Sequence, residues 1–189
     1  MRKQNQVFSA LLALSIILLS GCSGQNAVSK HSEPAAAPTA TAPAPAAQGI
    51  TFEGTDLEGG AVSSDILSRS KLTMINVWAT FCNPCLSEMP GLGELAAEYD
   101  PAEFQIIGIV DDVMEGDDPS YAKSLIQQTG ANYTHLLLNE SIYRALLIDV
   151  TAVPTTFFLD NQGAILDTVV GAMDKSAWEA KINGLLAER

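Results

Sequence analysis

Residues 72–78, LTMINVW, constrain the fold more than any other segment of the chain. The run is largely apolar with β-branched side chains, which suits a strand buried at the centre of a sheet. A helix is expected directly after it, over residues 84–99, because Leu86, Met89, Leu92, Leu95, Ala96 and Tyr99 recur at helical spacing. The alternation then continues. Residues 104–110, FQIIGIV, read as a second buried strand. Asp118 is a good N-cap and Pro119 a good first helical residue, so a helix should reach Thr129 and stop at Gly130. A short strand at 135–138 and a helix at 140–147 follow. Strands at 155–159 and 164–170 flank a turn at 160–163, and Asp174 caps a last helix whose Trp178, Ile182, Leu185 and Leu186 face inward. The order β-α-β-α-β-α-β-β-α gives an α/β domain with a largely parallel central sheet covered by helices and closed by an antiparallel hairpin. Before it, residues 50–62 hold short extended pieces around a turn at 56–60, an N-terminal extension.

The domain is expected to span residues 49–189. Ahead of it, MRKQNQ gives a short basic start, and an apolar run ends in Leu19-Ser20-Gly21-Cys22. The run is too short to span a bilayer, which takes about 20 apolar residues, and it suits a signal-peptide core over residues 1–21. Leu19-Ser20-Gly21-Cys22 resembles a bacterial lipobox, in which the cysteine becomes the lipid-bearing N-terminus. The resemblance makes Cys22 the lipid-attachment residue, on the outer face of a membrane. Residues 22–48 are rich in Ala, Pro, Ser and Thr and nearly free of large apolar side chains. They cannot offset the entropy of ordering and read as a flexible tether. The net charge of −12 leaves no basic stripe for nucleic acid.

The chemistry is concentrated in Cys82-Asn83-Pro84-Cys85. Cys82 falls where the first strand ends and the helix begins. Unpaired N–H groups and the helix dipole there favour a thiolate. Cys82 is therefore the expected nucleophile, and Cys85, one turn further in, the resolving thiol. A zinc site would need two more ligands, whereas the domain has no other cysteine and His135 is its only histidine. Haem attachment would need a histidine where Leu86 stands. A permanent structural disulfide remains open on these residues alone.

WATFCNPCLSEMP at 78–90 and VPTTFFLD at 153–160 resemble the two landmarks of the thioredoxin superfamily, and are closest to its TlpA/ResA-like branch of membrane-anchored thiol-disulfide oxidoreductases. The longer stretch between them matches that branch's central αβ insertion. The resemblance implies a thioredoxin-like fold with a central mixed sheet. It implies that Pro154 is a cis-proline beside the redox pair, and that Val153 offers backbone groups to an extended client. Phe81, where the superfamily often has tryptophan, would form an apolar rim for clients. Glu88 matches a functional glutamate of the branch and would act as acid or base on the Cys85 proton. Asn76 occupies the position of the buried acid of ordinary thioredoxins, which makes Glu88 the nearest acid in sequence. Trp78 is expected in the core.

The implied activity is extracytoplasmic thiol-disulfide exchange, with no metal and no cofactor beyond the Cys82–Cys85 disulfide. The resemblance points to a reductase serving apocytochrome c maturation or a methionine sulfoxide reductase. Its electrons would come from a membrane thiol donor of the DsbD/CcdA type. An oxidase inserting disulfides into exported proteins and a non-catalytic thiol-peptide-binding module are the alternatives. A peroxiredoxin would place a lone cysteine in a Pro-x-x-x-Thr-x-x-Cys setting, and nothing of that form precedes Cys82.

Overall fold

The computed structural model describes residues 49–189. The expected signal segment, Cys22 and the tether lie outside the described residues. Two short strands, β1 (Glu53–Thr55) and β2 (Ala61–Ser63), pair antiparallel around the expected turn. A 3₁₀ turn, Ser64–Arg69, leads into β3 (Leu72–Trp78), which is buried at every position. Then follow α1 (Asn83–Glu98), β4 (Phe104–Met114), α2 (Ser120–Thr129), β5 (Thr134–Leu138), α3 (Glu140–Ile142), β6 (Thr155–Asp160), β7 (Ile165–Val170) and α4 (Lys175–Ala187).

The main sheet has the order β5-β4-β3-β6-β7. β3 pairs parallel with β4, and β4 with β5. β6 returns antiparallel to β3, and β7 closes the sheet as a hairpin. The sheet is mixed and flanked by helices, which is the thioredoxin-like α/β architecture.

Side chains of a strand alternate between faces, and β3 sorts the core accordingly. Ile75 and Val77 join Phe52, Ile107, Leu136, Leu147 and Phe157 on one face, beneath α3 and the 3₁₀ turn. Leu72, Met74 and Trp78 face α1, α2 and α4, against Met89, Leu92, Leu125 and Trp178. Asn76 shares that second face. Its register partners are Gly108 on β4 and Thr156 on β6, and Gly108 in turn pairs with His135 on β5. Gly108 has to be glycine, since an added Cβ would lie 2.1 Å from His135 Nδ1.

Several boundaries shift by a residue or more from expectation, and at α2, β4 and the 140–147 helix the reason is local. α2 starts one residue late, because Asp118 Oδ1 accepts the Ser120 N–H and leaves Pro119 as the capping residue. It ends at Gly130 as expected, with φ of 69°. β4 continues four residues past Val110, through an irregularity in its pairing with β5. The expected 140–147 helix is regular only over Glu140–Ile142 and then widens to a π turn, Tyr143–Leu147.

Candidate active site

Cys82 is the N-cap of α1, in extended backbone geometry. A turn from Cys82 N to Ala79 O (3.0 Å) lifts the chain off β3, and Leu86 N donates to Cys82 O (3.0 Å) to begin the helix. The Cys82 sulfur itself accepts the Cys85 N–H at 3.2 Å. An acceptor at a helix N-terminus gains from becoming anionic, so this placement favours the thiolate once the pair is reduced. Cys82 and Cys85 form a disulfide with a Cα–Cα distance of 5.3 Å. Cys85 is fully buried and Cys82 retains 6% exposure, so the outer sulfur is the one a client can reach.

The Val153–Pro154 peptide is cis. The Val153 carbonyl oxygen lies 3.6 Å from Cys82 Sγ, so the two sequence landmarks, 71 residues apart, meet at the sulfur. Gly171 N donates to Pro154 O at 2.9 Å and fastens this loop to the end of β7. Phe81 is 75% exposed, beside Cys82 in the chain.

Glu88 is buried, one turn along α1 from Cys85. Its Oε1 accepts from Asn76 Nδ2 at 3.0 Å. Its Oε2 accepts from Met173 N and from Trp178 Nε1, both at 3.1 Å. Burial pushes its carboxyl above the ordinary value, and the Met173, Asn76 and Trp178 donors pull against that shift. Among the described residues Glu88 makes no hydrogen bond to either cysteine. In the disulfide state its carboxyl is held by β3 and by the entry to α4.

Asn76 Nδ2 also donates to Thr156 Oγ1 at 3.1 Å, while its Oδ1 has no partner among the described residues. The Tyr133 hydroxyl is likewise buried without one, and burial with the Glu88 charge pushes it upward. Trp78 is in the core, as expected, and its indole N–H donates to His135 Nδ1 at 3.1 Å. His135 Nε2 therefore holds the proton and donates to Ala131 O at 2.9 Å. Burial depresses the imidazole to about 4, so His135 is a neutral core residue.

Sequence reasoning brought Cys82, Cys85, Phe81, Val153 and Pro154 to one place and set Glu88 behind them. It missed Met173 and the Trp178 indole as partners of Glu88. Trp178 carried a usable signal, since a buried indole N–H normally finds an acceptor. The Met173 contact is through backbone and leaves no trace in residue identity. Among the described residues, no cluster of His, Cys, Asp or Glu could hold a metal ion.

The AhpC/TSA family matches residues 42–168. Thiol:disulfide interchange protein HelX of Rhodobacter capsulatus is 30% identical over 178 residues, covering 94% of this chain and 96% of HelX. DsbE of Escherichia coli K12 is 29% identical over 71% of this chain and 68% of its own length. ResA of Bacillus anthracis, a thiol-disulfide oxidoreductase, is 28% identical over 68% of this chain and 70% of its own. Among solved structures, a thiol:disulfide interchange protein of Chlorobium tepidum superposes with a TM-score of 0.64. It is 24% identical and covers 77% of this chain and 99% of that one.

Proposed function

We propose, from the premise that this chain belongs to the AhpC/TSA family and is a thiol-disulfide oxidoreductase of the TlpA/ResA/DsbE type, that it reduces specific protein disulfides outside the cytoplasm. The observation that carries the reading is the asymmetry of the redox pair. Cys82 caps α1 against the Val153 carbonyl with 6% of its surface still exposed, and Cys85 lies fully buried behind it.

In the dithiol state the Cys82 thiolate attacks one sulfur of a client disulfide. A mixed disulfide forms, and the other client sulfur leaves as a thiolate and takes up a proton. Cys85 then loses its proton and attacks the Cys82 sulfur. The client departs as a dithiol, and the protein is left as the disulfide, two electrons poorer. Phe81 and the Val153–Pro154 backbone hold the client across the sulfur. Glu88 receives or relays the Cys85 proton; its raised affinity for protons supports that role, and its bonds to Asn76, Met173 and Trp178 fix where the carboxyl sits. A membrane thiol donor of the DsbD/CcdA type restores the dithiol.

The client is the disulfide of an apocytochrome c or of an extracytoplasmic methionine sulfoxide reductase. The names of the relatives, thiol:disulfide interchange proteins and oxidoreductases, support the exchange chemistry in general. The lipobox-like Leu19-Ser20-Gly21-Cys22 supports removal of residues 1–21, a lipid on Cys22, and a tether over residues 22–48 that carries the domain at residues 49–189 on the outer face of a membrane. Cys22→Ser should move the protein from the detergent to the aqueous phase on partition; unchanged partition would refute the anchor.

A Cys85→Ser variant tests the function. It should accumulate clients covalently held on Cys82, and their identity names the pathway. The reduction potential gives the direction of electron flow. A value well below that of the strong oxidant DsbA, roughly −120 mV, fits a reductase, and a value close to it makes the protein an oxidase.

A further inference from the structure

The strand that leads to Cys82 is gripped by a neighbour. Trp78 and Val110 are the last register partners of the parallel β3–β4 pair. Both chains run on in the same direction, so Thr80 and Asp112, each two residues further, come level beyond the end of the pairing. Thr80 N donates to both Asp112 oxygens, at 2.9 and 3.1 Å, and the Thr80 hydroxyl donates to Oδ2 at 2.5 Å. Asp112 is exposed, and among the described residues it forms no ion pair. Its acceptors are directed at this one loop residue, two positions before the nucleophile.

The extension of β4 past Val110 is what delivers Asp112. Without it, the segment between β3 and α1 would keep the buried Ala79 and the Cys82 N to Ala79 O turn, and Thr80 would lose its hydrogen bonds to Asp112. Phe81 stands between the gripped residue and Cys82 and has 75% of its surface in water, so its own side chain contributes little to holding the loop.

We propose that Asp112 is a positioning residue for thiol-disulfide exchange, holding Thr80 so that Cys82 Sγ stays aligned with the Val153 carbonyl and the incoming client sulfur. The proposal rests on the reading that Cys82 is the attacking sulfur. It acts through hydrogen-bond geometry and not through the charge of the carboxylate. Asparagine can reproduce that geometry: its Oδ1 would accept the Thr80 N–H and its Nδ2 would donate to the Thr80 hydroxyl. Alanine cannot.

The test is single-turnover reaction of the reduced full chain with a neutral dipyridyl disulfide, at a pH above about 8.5 where the thiol is ionised. Under those conditions the rate reports approach, not acidity. Asp112→Ala should be about 10-fold slower than wild type, on the scale by which misplacement slows an aligned reaction. Asp112→Asn should stay within about 2-fold of wild type, because the grip survives. Thr80→Val, which keeps the N–H bond and loses the hydroxyl bond, should fall between them and carries the test if Asp112→Ala does not fold. A wild-type rate in Asp112→Ala or in Thr80→Val overturns the proposal, as does an Asp112→Asn rate as low as that of Asp112→Ala. If Cys82→Ser reacts as fast as wild type, the reading of Cys82 as the attacking sulfur has failed instead.

Discussion

The two faces of β3 are built by one strand and differ in kind. On one face Ile75 and Val77 pack into an apolar cluster from the 3₁₀ turn, α3 and the adjoining strands, and the buried Thr73 and Thr155 hydroxyls there are each paired, with Gln105 Nε2 and Ala152 O. On the other, Leu72, Met74 and Trp78 surround Asn76, which lies in register with Thr156 and, across Gly108, with His135. Above this row sit Glu88 and the redox helix. Buried polar groups cost stability unless each is paired, and here Asn76 Oδ1 and the Tyr133 hydroxyl are left over. A protein built only for stability would have no use for such a row. The first face is packed with its polar groups paired; the second leaves two polar groups unpaired beside the helix that carries Cys85.

That comparison can be broken by substitution. Cys82→Ser should abolish turnover and leave the melting temperature of the reduced protein nearly unchanged; residual turnover above a Cys82→Ser, Cys85→Ser double variant would count against it. Ile75→Ala, on the packing face, should cost about 2–5 kcal/mol in denaturant titration. Its turnover per folded molecule should match wild type, so a selective loss of turnover would erase the distinction between the faces.

Glu88→Gln should do the reverse. A glutamine Oε1 can accept from Met173 N and Trp178 Nε1. Its Nε2 then faces Asn76, whose amide can turn over to present Oδ1. The bonds survive, so stability should change by less than about 1 kcal/mol, while turnover falls by at least about 10-fold with the acid-base group gone. Equal rates for wild type and Glu88→Gln across pH 6 to 9 would remove Glu88 from the mechanism.

A smaller effect follows from the same carboxyl. Glu88 binds its proton more tightly in the folded state than the ordinary value of 4.5 for the unfolded chain. The stabilisation from that proton is complete below 4.5 and is lost as pH rises through the raised folded value. Wild-type stability should therefore fall more steeply than that of Glu88→Gln as pH climbs from that point toward neutrality. Parallel curves in urea titrations of the two oxidised proteins would contradict the assignment.

Much of this was legible before any coordinates. LTMINVW and the helical spacing after it located β3 and α1 to within a residue, because both faces of a central strand are apolar and a strongly periodic helix leaves little choice. The meeting of Cys82 with Val153 and Pro154 came from resemblance. The residues that hold Glu88 and Thr80 were not legible. Met173 reaches Glu88 from 85 positions away through a backbone N–H, and Asp112 reaches Thr80 only because β4 runs further than its apolar pattern suggests.

The most direct measurement is the pH dependence of iodoacetamide alkylation of reduced Cys82, followed by mass in a Cys85→Ser background. A sulfur capping α1 should titrate clearly below the value of about 8.5 for a free thiol and react while Cys82 is still folded against Val153. A midpoint at the free-thiol value, or a sulfur that reacts only on unfolding, would contradict the account of Cys82 as the activated, client-facing thiol.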